Sequence, residues 1–299
     1  MTTPPLAANL ESVARAICAA RGLTFVRYVG AGAFKQTFEV DQGGASYALK
    51  VYNTRNSPER AAREIEAMTR CTHAHIGCLA AIDEYEDASG RFAFSLEEYL
   101  GGGTLSARLL VELMRPTEVH TFGTALIDAV AHIACLDLVH RDLKPDNIMF
   151  RADGVTPVVV DFGLVRDLNA RSLTQTHVMQ GPGTPLFAPP EQLLNAKGMI
   201  DWRADQFSLG VVLSYCAFGK HPYQAEGDGP LEIVTRVVER ADPVPAFTEA
   251  ATAAGLQALV RMVAPWPVQR FRTPEALART WAEQHPADHA ASGAASGGV

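Results

Sequence analysis

The chain has 299 residues, 47% of them hydrophobic and 20% charged, with a formal net charge of −7; that composition supplies a sizeable core and lacks the basic balance of a dedicated nucleic-acid binder. No run of Lys and Arg stands out and the pI is about 5.7, which argues against attraction to an anionic membrane. Five cysteines, at 18, 71, 78, 135 and 216, form an odd, scattered set that suits a reducing compartment better than a disulfide framework.

In chain order, Met1-Thr2-Thr3-Pro4-Pro5 lacks the basic and apolar parts of a signal peptide. Asn9 can cap a first helix with Leu10, Val13 and Ile17 at helical spacing and Gly22 as its stop. Thr24 to Val29, Thr37 to Val40 and Tyr47 to Val51 then read as short strands separated by Gly-rich turns. Ser57, Pro58 and Glu59 suit the start of an internal helix. Two more strands are expected near Leu79 to Tyr85 and Phe92 to Tyr99, and Gly101-Gly102-Gly103 marks a change in composition.

Beyond that point the pattern is mainly helical. Thr117 can cap a helix carrying Val119, Phe122, Leu126, Val130 and Ile133. A hairpin interrupts: Asn147 to Phe150, a turn at Asp153-Gly154, then Val158 to Val160. Helices resume near Ala204 to Phe218, Leu231 to Glu239, Gly255 to Val263 and Pro274 to Gln284. Leu209 to Phe218, the longest apolar stretch, is too short for a membrane span and reads as a buried core helix. The Ala-, Ser- and Gly-rich end, from Asp288 to Val299, reads as a disordered tail.

The chemistry concentrates in His140-Arg141-Asp142-Leu143-Lys144-Pro145-Asp146-Asn147, followed across the hairpin by Asp161-Phe162-Gly163. One carboxylate that can take a hydroxyl proton, two oxygen ligands for hard cations and one ammonium for phosphate charge lie within a loop and a hairpin. Taken together, this run closely resembles the eukaryotic-like protein kinase family, of the kind also common in bacteria, over Leu23 to Gln284.

The resemblance implies an α+β, two-lobed fold with a small antiparallel-sheet lobe over residues 23–100 and a larger, mainly helical lobe over 101–284. An N-terminal helical extension occupies residues 1–22 and a tail 285–299. ATP and Mg2+, for which Mn2+ is a possible substitute, are implied in the cleft, with a protein Ser or Thr hydroxyl as acceptor. Asp142 would be the catalytic base, Lys144 would contact the γ-phosphate as in the serine/threonine branch, and Asn147 and Asp161 would bind the metal. Tyr47-Ala48-Leu49-Lys50-Val51 looks like the strand that presents Lys50 to the α- and β-phosphates. Glu64 is the expected partner of Lys50, and Glu66 should face away, because two helical positions turn a side chain by about half a circle.

The nucleotide loop departs from the family. Gly30-Ala31-Gly32-Ala33-Phe34-Lys35-Gln36-Thr37 keeps two of the three glycines, with Lys35 in place of the third and Thr37 where Val is usual. Glycine lets the backbone approach phosphate closely, and Lys35 could add a cation there. A dinucleotide-binding loop is excluded because it should open a helix and strand-like residues follow. Ala48, Glu98, Leu100 and Met149 complete the implied nucleotide contacts, Glu98 to Leu100 being the hinge. Glu97 then falls where the family has an apolar side chain; either the register is off by one or the carboxylate finds a basic or hydroxyl partner.

Gly183 to Glu191 resembles the end of an activation segment, with Pro189-Pro190-Glu191 in place of Ala-Pro-Glu. Glu191 would pair with Arg270, Thr184 would sit beside the substrate hydroxyl, and Asp205 would anchor the catalytic loop. Ser172, Thr174 and Thr176 are candidates for autophosphorylation, with Arg141 as the partner of the phosphate. The crowded Cys71-Thr72-His73-Ala74-His75-Ile76-Gly77-Cys78 has unusual spacing for zinc and matches a family turn better. Two rivals remain, a nucleotide-binding pseudokinase scaffold and a small-molecule phosphotransferase. The chain itself reads as a stand-alone cytoplasmic kinase, without a membrane or nucleic-acid partner and of unknown oligomeric state.

Overall fold

The computed structural model describes residues 10–32, 35–52, 66–88, 90–162, 166–167 and 184–286. Several expectations fall outside them: the Asn9 cap, Ala33 and Phe34, the helix start at Ser57, Glu64, Gly163, the candidate phosphosites and the end of the chain beyond Pro286. The fold is α+β and divides into two units, Met1–Thr72 with Gly77–Gly101, and His73–Ile76 with Gly102–Val299.

In the first unit, five antiparallel strands run β1 (Thr24–Ala31), β2 (Lys35–Gln42), β3 (Ala45–Tyr52), β4 (Leu79–Asp87) and β5 (Gly90–Glu98), in the spatial order β1-β2-β3-β5-β4. The turn from β2 to β3 is Gly43-Gly44, both at positive φ (65° and 89°). A two-residue hairpin loop with both residues at positive φ favours glycine and matches the twist of the strands. Alternation in β2 and β3 sorts the sheet into two faces. Phe38, Val40, Leu49, Val51, Phe94 and Leu96 share one.

That face is covered by helix α1 (Glu11–Arg21), whose Val13, Ala14, Ile17 and Cys18 complete the cluster. The N-cap position is Leu10, with no side-chain cap of its own. Instead, the Leu10 N–H donates to Gln36 Oε1 of β2 (3.1 Å), so a strand residue holds the helix start. Gly22, at φ 66°, ends the helix as expected. Residues 66–70 are helical, with Glu66 exposed.

The second unit is built around helices α3 (Pro116–Cys135) and α5 (Trp202–Phe218), which pack on each other. Thr117 does not cap α3. Pro116 already lies in the first turn, where its missing N–H costs nothing, and Glu118 accepts the Arg115 N–H (2.9 Å). Asp201 caps α5 through the Arg203 N–H (2.9 Å), and every residue from Ala204 to Ser214 is buried. A helix apolar nearly all round belongs in the core; its two internal hydroxyls, Ser208 and Ser214, are satisfied by carbonyls one turn back.

Short helices α2 (Leu105–Leu109) and α4 (Pro190–Leu193), and then α6 (Pro230–Val238), α7 (Pro245–Ala253), α8 (Ala258–Met262) and α9 (Pro274–Ala282), complete this unit. The helix expected from Gly255 is shorter, because Gly255 (φ 68°) closes the helix before it. That preceding helix, α7, escaped sequence reading: in PAFTEAATA only Phe247 and Ala251 are buried, too thin a stripe to signal a period. Trp281 of α9 stacks on His120 of α3 (5.5 Å, 6°), and its indole N–H donates to the His120 carbonyl (3.0 Å). Two small antiparallel ladders position the loops described next: β6 (Leu138–Val139) with β9 (Arg166–Asp167), and β7 (Ile148–Phe150) with β8 (Pro157–Val159).

Candidate active site

In the first unit, the face of the sheet opposite α1 carries the polar side chains. Lys50 stands across from Thr37 on β2 and from Ser95 on β5, and Ala48 stands across from Glu97. Since opposed residues share a face and alternate residues do too, Thr37, Ala48, Lys50, Ser95 and Glu97 form one patch. Lys50 and Glu97 are buried, at 8% and 3% exposure. The Lys50 Nζ donates to Glu97 Oε2 (2.5 Å), and the Ser95 Oγ donates to Glu97 Oε1 (2.7 Å). Tyr52 reaches the same serine through its hydroxyl (3.3 Å). Thus the Glu97 carboxylate has both a basic and a hydroxyl partner. The expected Lys50–Glu64 pair lies outside the described residues.

Gly30 pairs with Thr37 and Ala31 with Gln36 where β1 meets β2, and the Gly32 N–H donates to the Lys35 carbonyl (2.9 Å). The Lys35 ammonium lies 5.7 Å from the centre of the Tyr52 ring, on the patch that carries Lys50. Glu98 closes β5 with its N–H on the Cys78 carbonyl (2.9 Å), and Leu100 is buried.

In the second unit, the loop after β6 is held from beneath. Asp205 of α5 is 1% exposed, and its two oxygens accept the N–H groups of His140 (2.7 Å) and Arg141 (2.8 Å). Burial pushes its carboxyl up, against the two backbone N–H donors, which favour the charged form. Arg141 has φ 69°, a conformation costly for a side-chain-bearing residue unless its surroundings enforce it; Asp205 and the Gln192 amide, which donates to the Arg141 carbonyl (2.7 Å), do so. His140 is buried. Its Nδ1 accepts the Asp142 N–H (3.3 Å), so Nε2 carries the proton and donates to the Val160 carbonyl (3.2 Å).

Three of the predicted site residues, Asp142, Lys144 and Asn147, come together. The Lys144 Nζ donates to Asp142 Oδ2 (2.9 Å), and Asn147 Nδ2 donates to the Asp142 carbonyl (2.8 Å) and to Oδ2 (3.0 Å). Asn147 sits in a 3-10 turn (Pro145–Asn147) that leads straight into β7. Met149 of β7 bridges to Thr104. Past β8, Asp161 has φ 68°, and Phe162 is 1% exposed with its ring 4.9 Å from that of His140. The Asn147 side-chain oxygen and the Asp161 carboxylate are hard oxygen donors, the type a divalent cation such as Mg2+ takes.

Below this loop, Arg270 and Glu191 form a fully buried bidentate pair (2.6 and 3.1 Å). His73 and His75 use their rings internally: His73 Nε2 meets Asp128 (3.1 Å), His73 Nδ1 accepts the His75 N–H (3.1 Å), and His75 Nδ1 donates to the Pro157 carbonyl (2.8 Å). His221, which sequence reading did not single out, donates from Nε2 to the Leu186 carbonyl (2.8 Å) and accepts the Tyr223 N–H at Nδ1 (3.1 Å). It thereby holds the short turn Thr184–Phe187.

Among known families, the protein kinase domain matches residues 23–282. The chain is 33% identical over 71% of its length to a probable serine/threonine-protein kinase, PkwA, of Thermomonospora curvata, of which 28% is covered. It is 29% identical over 85% of its length to a DNA damage-responsive serine/threonine-protein kinase, RqkA, of Deinococcus radiodurans, with 38% of that protein covered. It is 35% identical over 62% of its length to the serine/threonine-protein kinase PknL of Mycobacterium tuberculosis, with 45% covered. The chain thus spans less than half the length of each of these relatives. Among the described residues, no helix is long and apolar enough to cross a membrane.

Proposed function

The chain belongs to the protein kinase family, and from that premise we propose that it transfers the γ-phosphoryl group of ATP to serine or threonine hydroxyls of proteins. The observation that carries this reading is the convergence of Lys144 and Asn147 on the Asp142 carboxylate, in a loop whose backbone Asp205 clamps. In the transfer, the acceptor oxygen bonds to the γ-phosphorus while the bond from that phosphorus to the bridging oxygen breaks and ADP leaves. Asp142 takes the acceptor's proton. Lys144 cancels charge on the moving group, and Lys50 takes the α- and β-phosphates. Asn147 and Asp161 would hold Mg2+, which neutralises phosphate charge when bound.

The same reading makes Ser172, Thr174 and Thr176 acceptors for autophosphorylation, and it places the protein in the cytoplasm, where its five free cysteines stay reduced.

Radiolabel transfer from ATP with Mg2+, on the whole chain and on a generic basic protein, tests the proposal. Asp142→Asn and Lys50→Met should each lower transfer by about a hundredfold or more. Transfer that survives in Asp142→Asn, or goes to a metabolite rather than a protein, would overturn it.

A further inference from the structure

We infer that Glu97 is a positioning residue for Lys50: it fixes the ammonium on the polar face of the sheet so that the remaining donors meet the nucleotide's phosphates. The inference rests on the role proposed above for Lys50. Strand register brings the two together. Lys50 stands opposite Ser95, and Glu97 lies two residues further along β5 on the same face, a diagonal that long side chains span. Both carboxylate oxygens are engaged, one by Lys50 at 2.5 Å and the other by Ser95 at 2.7 Å. The carboxylate is thereby held in one orientation.

Burial makes the arrangement informative. A carboxylate at 3% exposure needs a partner charge and hydrogen bonds to remain there at all. Apolar residues of similar size in place of the whole pair would serve the stability of this sheet as well or better, since buried ion pairs seldom outperform well-packed apolar side chains. What the carboxylate adds is direction for Lys50. An ammonium has three donors, and Glu97 takes one of them at the edge of the patch. Ser95, with Tyr52 behind it at 3.3 Å, keeps that anchor from swinging.

The test compares ADP with adenosine, because only ADP presents phosphates to Lys50. Dissociation constants for both are measured by calorimetry on the full chain with Mg2+, for wild type, Lys50→Met, Glu97→Gln, Ser95→Ala and the Lys50→Met/Glu97→Gln double variant. Melting curves report whether each variant is folded. Glu97→Gln should weaken ADP relative to adenosine by about tenfold, and Ser95→Ala by about threefold, the scale of one charge-assisted and one ordinary hydrogen bond. In the Lys50→Met background, Glu97→Gln should change the ratio no further. A purely structural role would weaken both ligands alike.

An unchanged ratio in Glu97→Gln, with a lowered one in Lys50→Met, overturns the inference and leaves the kinase reading standing. A raised ratio overturns it too, since Glu97 would then compete with phosphate for the lysine. An unchanged ratio in Lys50→Met overturns the role of Lys50 itself, and the inference with it. Should Glu97→Gln fail to fold, Ser95→Ala, which keeps both charges, decides the matter: an unchanged ratio there overturns the inference.

Discussion

Arg270 and Glu191, 79 residues apart, meet as a bidentate ion pair in which neither side chain is exposed to solvent at all. The guanidinium is also held by the carbonyls of Ala264 (2.8 Å) and Arg203 (2.9 Å), and it lies over the Phe207 ring. The pair ties helix α4, at the end of the segment that begins with Thr184, to the turn that precedes α9. Glu191→Gln would leave a buried cation without its countercharge. Urea unfolding should show a loss of about 3–5 kcal/mol. Replacing both residues with apolar ones of similar volume should cost distinctly less than the single change.

Asp205 is a second buried anchor. An asparagine in its place can accept only one of the two N–H groups that the carboxylate now takes, because its amide nitrogen is itself a donor. Asp205→Asn should therefore lower kcat with a smaller change in KM for ATP, since the displaced loop carries Asp142. The melting temperature should also fall, by an amount equivalent to about 2 kcal/mol. Steady-state kinetics beside a melting curve would reveal both effects. An unchanged kcat would mean that the loop keeps its geometry without the clamp.

His221 makes stability pH-dependent. Burial pushes its pKa down to about 4, from an ordinary 6.5, against the smaller opposing pull of the Leu186 carbonyl. Between those values the unfolded chain binds the proton and the folded one does not. Its contribution is therefore complete above pH 6.5 and lost as the pH falls toward 4, to a total of about 3 kcal/mol. Denaturant midpoints measured from pH 7.5 to 4.5 should fall more steeply for wild type than for His221→Gln. The difference in slope should approach one proton.

The N-terminal helix belongs to the core of the first unit. Ile17 has no exposed surface and packs in the cluster of Phe38, Leu49 and Leu96. Ile17→Ala should destabilise this unit by about 2–5 kcal/mol. Gln36→Ala, which removes the acceptor for the Leu10 N–H, should cost about 1–2 kcal/mol through an unsatisfied helix-start donor. Hydrogen exchange at the N–H groups of α1 would separate the two effects, because the loss from Gln36→Ala should be confined to the first turn.

The convergence of Asp142, Lys144 and Asn147 was legible from the chain alone because it is local. Asp142, Lys144 and Asn147 fall within six consecutive residues, and a turn starting at Pro145 followed by a strand leaves them little choice but to converge. The hairpin that carries Asp161 toward the same loop follows directly in sequence, from Ile148 to Val159. The strands, the Gly22 stop and the helix α5 likewise follow from alternation, a glycine after a helical period and a largely apolar run. Where the pattern was thin, as in α7, or where a cap came from a distant residue, as at Leu10, the reading stopped short.

Partners brought together by packing were a different matter. Nothing local says that Glu97 is the residue facing Lys50, 47 positions away; strand order and register decide it, because a shift of one residue would turn the carboxylate to the face of α1. The coverage of the sheet by α1, the clamp of His221 on Leu186 and the neutral state that burial enforces on that imidazole depend in the same way on which surfaces close against one another. Sequence determined the identity and spacing of the candidate site residues. Tertiary structure decided which of them are buried, and in a medium of low polarity burial is what turns a neighbouring charge from a minor influence into an obligatory partner.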